Sequence, residues 1–208
     1  MAHVDSPIPV VFQVRRQSTR CPDKCYRPFY DGRSITDLVL EKYAGRPQTY
    51  LAAHEPEFEP IAKNHGIDFI FRDDSSAAGE TVAEVMNYRH ELPGESICIV
   101  NVCAPFLKRS SVEAALEQHQ RDTAPTRVAI CPIKDIILDE HKIPVNKDAA
   151  VFNSKLRKAL YLRTGCFTIF SKERVDAIGK YFDRYREGDP AFHEIEHLET
   201  LDIDTEDQ

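Results

Sequence analysis

Apolar positions along the chain fall in short runs separated by stretches in which they recur every three or four residues. The runs at 10–14, 49–53, 68–71, 96–100, 127–131 and 166–170 are rich in β-branched and aromatic residues, the pattern of strands. Between and after them, 35–43, 57–65, 81–90, 111–120 and 173–185 carry the helical period. Ser34 is placed to cap the first of these helices, Gly66 to close the second, and Pro93-Gly94 to stop the third. Strands alternating with helices of this length predict βαβ units and a mostly parallel sheet covered on both faces, a three-layer α/β/α arrangement. In such sheets ligands bind beyond the carboxyl ends of the strands. Three segments therefore become the expected walls of a site: the loop after Val14, the loop after Val100 and the turn before Cys166. Residues 132–160, with Asp139-Glu140-His141-Lys142, are less regular and read as an excursion, a hairpin or a dimerisation arm.

Length and composition narrow the class. At 208 residues and 42% hydrophobic, the chain can bury a core without disulfide or metal staples, and 1–208 reads as one domain. Its longest apolar runs fall far short of the roughly 20 residues that span a bilayer, so no membrane partner is expected. The first seven residues lack the basic flank and apolar stretch of a signal peptide, which makes the cytoplasm the expected compartment. Cys98, Cys103, Cys131 and Cys166 lie in or beside apolar runs and read as buried free thiols. Cys21 and Cys25 have no second Cys or His pair nearby to complete a zinc site.

A net charge of −7 argues against nucleic acid as partner, and its distribution says more than its size. Nine acids and no Lys or Arg fall in 187–208, while six bases crowd 15–33. Either the acidic end is a solvated tail, or the basic loop holds a polyanion and the acids hold a cation. The loop itself, Arg15-Arg16-Gln17-Ser18-Thr19-Arg20-Cys21-Pro22-Asp23-Lys24, directly follows a buried run. Arg15, Arg20 and Lys24 can surround a triphosphate, with hydroxyls and backbone N–H groups donating to its oxygens. It is not a Walker loop, because no Gly-Lys-Ser/Thr closes it. By composition alone it reads rather as a solvated surface turn.

The run 11–37, with Arg15, Ser18, Pro22, Lys24, Pro28 and Gly32, resembles the opening signature of the cytidylyltransferases. These include the acylneuraminate and deoxy-manno-octulosonate (KDO) synthetases and the spore-coat polysaccharide (SpsF-like) proteins, the last being nearest in Gln13, Ser18-Thr19-Arg20 and Pro22. Glycines of that pattern fall on Gln17 and Asp23 here. Asn101-Val102-Cys103-Ala104-Pro105-Phe106 resembles the family's Q-x-T-S-P-L stretch, with Cys103-Ala104 where hydroxyl residues are usual. Arg163-Thr164-Gly165-Cys166-Phe167-Thr168-Ile169-Phe170 is similar to the substrate-facing N-G-x-x-Y-x-F strand, and Ile70-Phe71-Arg72 matches a strand ending in Arg. Leu201-Asp202-Ile203-Asp204-Thr205 resembles the closing D-I-D-T. In an extended segment Asp202 and Asp204 point to one side, and two hard carboxylates suit Mg²⁺.

The resemblance implies a GT-A-like nucleotide-diphospho-sugar transferase fold. It also implies transfer of CMP from CTP to an acidic sugar, a 2-keto-3-deoxy sugar acid such as a nonulosonic acid, with release of pyrophosphate. Gln13, Arg15, Ser18, Arg20, Lys24 and Ala104 would bind the nucleotide, with Arg15 and Lys24 also carrying catalysis. Arg72, Arg163 and Gly165 would contact the acceptor, Asp202 and Asp204 would hold Mg²⁺, and the enzyme would be a homodimer. Two alternatives stand beside this: an acceptor that is a phosphonate or another small acid, and a catalytically weak nucleotide-binding relative.

Overall fold

The computed structural model describes residues 7–18, 20–122, 124–146, 148, 150–177 and 188–205. Its elements in chain order are β1 (Val10–Gln13), β2 (Pro28–Tyr30), β3 (Arg33–Ser34), α1 (Ile35–Glu41), β4 (Thr49–Ala53), α2 (Glu59–Asn64), β5 (Asp68–Phe71), α3 (Asp74–Ala77) and α4 (Val82–Val85). These are followed by β6 (Ser96–Val100), α5 (Arg109–Asp122), β7 (Thr126–Ile133), β8 (Leu160–Ser171), α6 (Lys172–Ala177) and β9 (Ala191–Glu194). Seven strands form one sheet in the order β5-β4-β1-β6-β8-β7-β9. β8 runs antiparallel to both β6 and β7, and the other neighbours are parallel, so the sheet is mostly parallel as expected.

The alternation of side chains along a strand explains why both faces of the sheet are covered. Val10 and Phe12 of β1, Leu51 and Ala53 of β4 and Cys98 and Val100 of β6 enter a core shared with α1, α2 and α5. Their neighbours Val11, Ala52 and Ile97 enter a second core with Met86, Tyr88, Leu92 and Val175. Two helical layers thus sandwich the sheet. Among the described residues no helix is long and apolar enough to cross a membrane.

Ser34 caps α1 as the sequence predicts. Its hydroxyl accepts from the Asp37 N–H at 3.1 Å, and the Asp37 carboxylate accepts from the Ser34 N–H at 3.0 Å, a capping box. We expect Ser34→Ala to cost about 1 kcal/mol, read as a lower urea midpoint at unchanged slope.

The helix expected over 81–90 is instead α4 followed by a 3-10 stretch, Asn87–Glu91. Side chains have claimed the carbonyls that a continuous helix needs. The Ser76 hydroxyl donates to Val85 O at 2.7 Å, and Arg89 donates to Ala83 O at 2.9 Å and Met86 O at 3.1 Å. The last predicted helix begins as α6, and its remainder, 178–185, lies outside the described residues. β8 is longer than its apolar run because Leu160 to Arg163 pair with Ile130 to Ile133 of β7, making the excursion the far end of a β7–β8 hairpin. An isolated bridge, Leu138 to Pro144, folds its tip.

Candidate functional site

The segments expected to form a site meet at the carboxyl ends of β1 and β6. The loop after β1 is self-bracing: the Ser18 hydroxyl accepts from the Cys21 N–H at 3.3 Å and the Arg16 carbonyl from the Asp23 N–H at 3.1 Å. Asp23 adopts a left-handed backbone with φ of 56°, the conformation that favours glycine, which accounts for the glycine expected there. Its carboxylate accepts from Arg16 Nε at 2.9 Å, and both residues line the cleft beside the loop. That bond first, and the nearby positive charge after it, holds the Asp23 carboxyl below the usual range. The departure from glycine therefore brings its own counter-ion. Thr19 lies outside the described residues.

The closing segment is threaded between this loop and the turn after β6. Ile203, buried, donates its N–H to Cys103 O at 2.8 Å. With that backbone anchored, the flanking carboxylates reach opposite loops. Asp204 accepts from Lys24 Nζ at 2.9 Å and from Arg20 Nη1 at 2.7 Å, and Lys24 also donates to Ile203 O at 2.8 Å. Asp202 accepts from Asn101 Nδ2 at 3.3 Å, while its other oxygen is buried with no hydrogen-bond partner. Burial, followed by the charge of Asp204, raises the Asp202 carboxyl above its ordinary range. Upstream, buried Glu199 accepts from the Lys108 N–H at 2.9 Å at the start of α5, which pins the approach to the two aspartates.

Two clefts flank the loop after β1 and the turn after β6. One of about 660 Å³ is lined by Arg15, Gln17, Ser18, Glu55 and Glu57. Glu55 holds the loop in place by accepting from the Arg16 N–H at 2.9 Å. A second, of about 450 Å³, is lined by Gln13, Thr81, Met86, Asn101, Gly165 and Thr168. Gln13 is oriented there by donating to the Tyr88 hydroxyl at 2.5 Å. A Cβ built on Gly165 would meet nothing within 4 Å, so the glycine keeps open space and serves no internal close approach.

Arg163 and Gly165 are exposed and alternate with buried Thr164 and Cys166, as a strand requires. Arg163 lines a separate, apolar cavity of about 690 Å³ with Ile130, Tyr161 and Phe192. Arg72 is only 7% exposed and donates to Ser76 Oγ at 3.0 Å and to the Ser76 carbonyl, so its guanidinium holds α3 in place at the edge of a cleft that also contains Arg15 and His54. Ala104 is buried and gives its N–H to Asn101 O at 3.3 Å, so its side chain belongs to the core. A small residue is needed there for packing.

Sequence reasoning missed Asn101, Glu55 and Tyr88 as supports of the site. All six cysteines are buried and free. The neighbouring Cys25 thiol first, with burial opposing and the Lys24 charge assisting, holds the Cys103 thiol below its ordinary range. Among the described residues no group of three or more His, Cys, Asp or Glu is placed to hold a metal ion. The pair Asp202 and Asp204 nevertheless fits Mg²⁺, which takes one or two protein carboxylates and completes its shell with phosphate and water, and the orphaned Asp202 oxygen is a donor awaiting such a partner.

A family model described as cytidylyltransferase matches residues 10–208. Among solved structures the chain is similar to CMP:2-keto-3-deoxy-manno-octonic acid synthetase complexed with CTP, at a TM-score of 0.64 and 14% identity over 96% of this chain and 94% of that one. A cytidylyltransferase from Leptospira borgpetersenii gives a TM-score of 0.58 and 15% identity over 96% and 82% of the two chains. For 4-diphosphocytidyl-2C-methyl-D-erythritol synthase from Anaerococcus prevotii the values are 0.58 and 12% over 96% and 91%. Likeness at these identities is likeness of fold. No curated protein matches the chain.

Proposed function

Because this chain belongs to the cytidylyltransferase family, we propose that it transfers CMP from CTP to an acidic sugar of the 2-keto-3-deoxy class, releasing pyrophosphate. The observation that carries this reading is the junction of Lys24 and Arg20 with Asp204, two residues after Asp202 and its orphaned oxygen. Two cations of the loop after β1 and a carboxylate about 180 residues away in sequence gather there.

In the reaction an acceptor hydroxyl oxygen forms a bond to the α-phosphorus as the bond from that phosphorus to the bridging oxygen breaks. Pyrophosphate leaves in line, and one proton is released per transfer. The work of the protein is placement and charge neutralisation. Arg15, Lys24 and Arg20 take the β- and γ-phosphates, with the Ser18 turn shaping the loop beneath them. Gln13 and Gly165 face the cleft that would receive the nucleoside or the acceptor; Arg163, on the neighbouring cavity, would contact an acceptor carboxylate only if the acceptor reaches that far. Asp202 and Asp204 would hold Mg²⁺, whose chemistry is to neutralise charge on the reacting phosphate.

The homodimer is assigned to the excursion. Ile136, Leu138, Ile143, Val145, Phe152 and Leu156 are exposed on it, an apolar density unusual for a solvated hairpin tip.

The test is pyrophosphate release with each of the four nucleoside triphosphates, Mg²⁺ and a panel of sugar acids and phosphonates. Release with CTP and a 2-keto-3-deoxy sugar acid is expected. Release only with a phosphonate would move the acceptor, and equal binding of all four nucleotides would mean that only phosphates are read.

A further inference from the structure

Side chains alternate along β1, so Gln13 shares the face of Val11 and stands where the second core gives way to the cleft of about 450 Å³. Tyr88 belongs to that core with Val11, Ala52 and Met86, and only 4% of it is exposed. It stands in the 3-10 stretch that interrupts the expected helix. Its hydroxyl accepts from Gln13 Nε2 at 2.5 Å. Burial pushes the phenol up to about 12, so near neutral pH it stays a neutral hydroxyl. With Nε2 committed to a fixed partner, the amide cannot turn over without losing that bond. Its Oε1 is the atom left for a ligand. Among the described residues no group donates to that oxygen, and it is not one of the buried polar atoms lacking a partner, so it is open to the cleft. Gln13 also ends β1, two residues before Arg15. A nucleotide whose phosphates lie along the loop after β1 would therefore carry its base into this cleft.

We propose that Gln13 reads the 4-amino group of cytosine through Oε1, and that Tyr88 is the positioning residue that fixes the amide in that sense. Cytosine presents its N4 amine as a donor where uracil presents O4, an acceptor. Held with its carbonyl outward, Gln13 meets the first with a hydrogen bond and the second with lone pair against lone pair. A glutamine without the anchor is free to turn its NH₂ outward and serve either base. The preference is thus set by the buried phenol acting on the glutamine, and it works by penalising the wrong base as well as by rewarding the right one. Val82, Val85 and Met86 give the cleft apolar walls for a flat ring and no hydrogen-bonding preference of their own.

This assignment of the base rests on the CTP reading above. The experiment titrates the intact protein calorimetrically, with Mg²⁺ present, using CTP, UTP and the pyrimidin-2-one ribonucleoside triphosphate, which lacks the 4-amino group. The proteins are wild type, Tyr88→Phe and Gln13→Leu. Wild type should bind CTP at least about tenfold more tightly than either of the others, the effect of one hydrogen bond made or left unmade. Tyr88→Phe should hold its affinity for the amine-free triphosphate, gain affinity for UTP and lose most of the preference for CTP. Equal weakening of all three in that variant is what a merely structural tyrosine gives, and it would overturn the positioning role. Should Tyr88→Phe fold poorly, Gln13→Leu decides, because it removes the amide and leaves the tyrosine ring in place: equal binding of the three is expected, and a retained preference for CTP would overturn the proposal. Wild type that binds all three equally would overturn it too, while leaving the triphosphate site standing. If none of the three binds wild type, the CTP reading itself fails and this assignment falls with it.

Discussion

Replacing Asp202 by Asn should lower CTP turnover by on the order of a hundred- to a thousandfold, the scale seen when one preorganised group is removed from a developing charge. The same change should leave the melting temperature level or raised. Asn is isosteric and can still accept from Asn101, whereas the wild-type carboxylate is half-buried, feels the charge of Asp204 and has one oxygen with no partner. Its pKa is raised on folding, so ionised Asp202 opposes the folded state, and stability declines as the pH climbs through the folded value. The Asn variant lacks that decline. Added Mg²⁺ should raise the wild-type midpoint by mass action and leave the variant unmoved. The pair of measurements is turnover and the Mg²⁺-dependent midpoint; full activity in Asp202→Asn would remove the metal assignment.

Lys24→Ala should weaken CTP by at least about tenfold, the loss of one charge-assisted contact, read by calorimetric titration. Here stability should fall as well. The Lys24 side chain is 13% exposed and ties the loop after β1 to the closing segment through Asp204 and Ile203 O. Its hydrogen bond is the main reason that the Asp204 carboxyl lies below its ordinary range, with Arg20 contributing charge. The folded value lies below the unfolded one, so this stabilisation is fully present above the ordinary carboxylate range. It is lost as pH falls through the lowered value. Wild type should accordingly lose more stability than Lys24→Ala on acidification through that window. An unchanged CTP affinity in the variant would take Lys24 out of the triphosphate site.

The sequence was most readable where periodicity and cap chemistry agree. β1, β4, β5 and β6 coincide with apolar runs, and α1 starts at its capping serine, because each is decided by local pattern. β9 and the β2–β3 hairpin were not foreseen: Ala191–Glu194 pairs with β7 through backbone register, and only tertiary context reveals it. Of the site, the basic loop and the two aspartates were legible because charge clusters on either side of Ile203 stand out in composition. Their junction was not. It depends on the Ile203 to Cys103 backbone bond, to which side-chain type contributes nothing. Arg72 shows how a strand-ending arginine can also carry structure, since its guanidinium donates to Ser76 while lining a cleft with Arg15 and His54. Asp23 departs from the family pattern, yet the residue that compensates, Arg16, was in the same loop.

The attachment of Asp204 to Lys24 and Arg20 sets a condition on any anion that would use those two bases. A carboxylate already satisfies the two cations, so an arriving anion must out-compete it and leave Asp204 with somewhere else to put its charge. A lone inorganic phosphate offers one weak rival anion and no home for the displaced carboxylate. A triphosphate that brings its own divalent cation offers both: phosphate oxygens for the bases and a positive centre for Asp204. If the loop holds a triphosphate, discrimination against small stray anions would follow from these ion pairs before any contact with base or sugar.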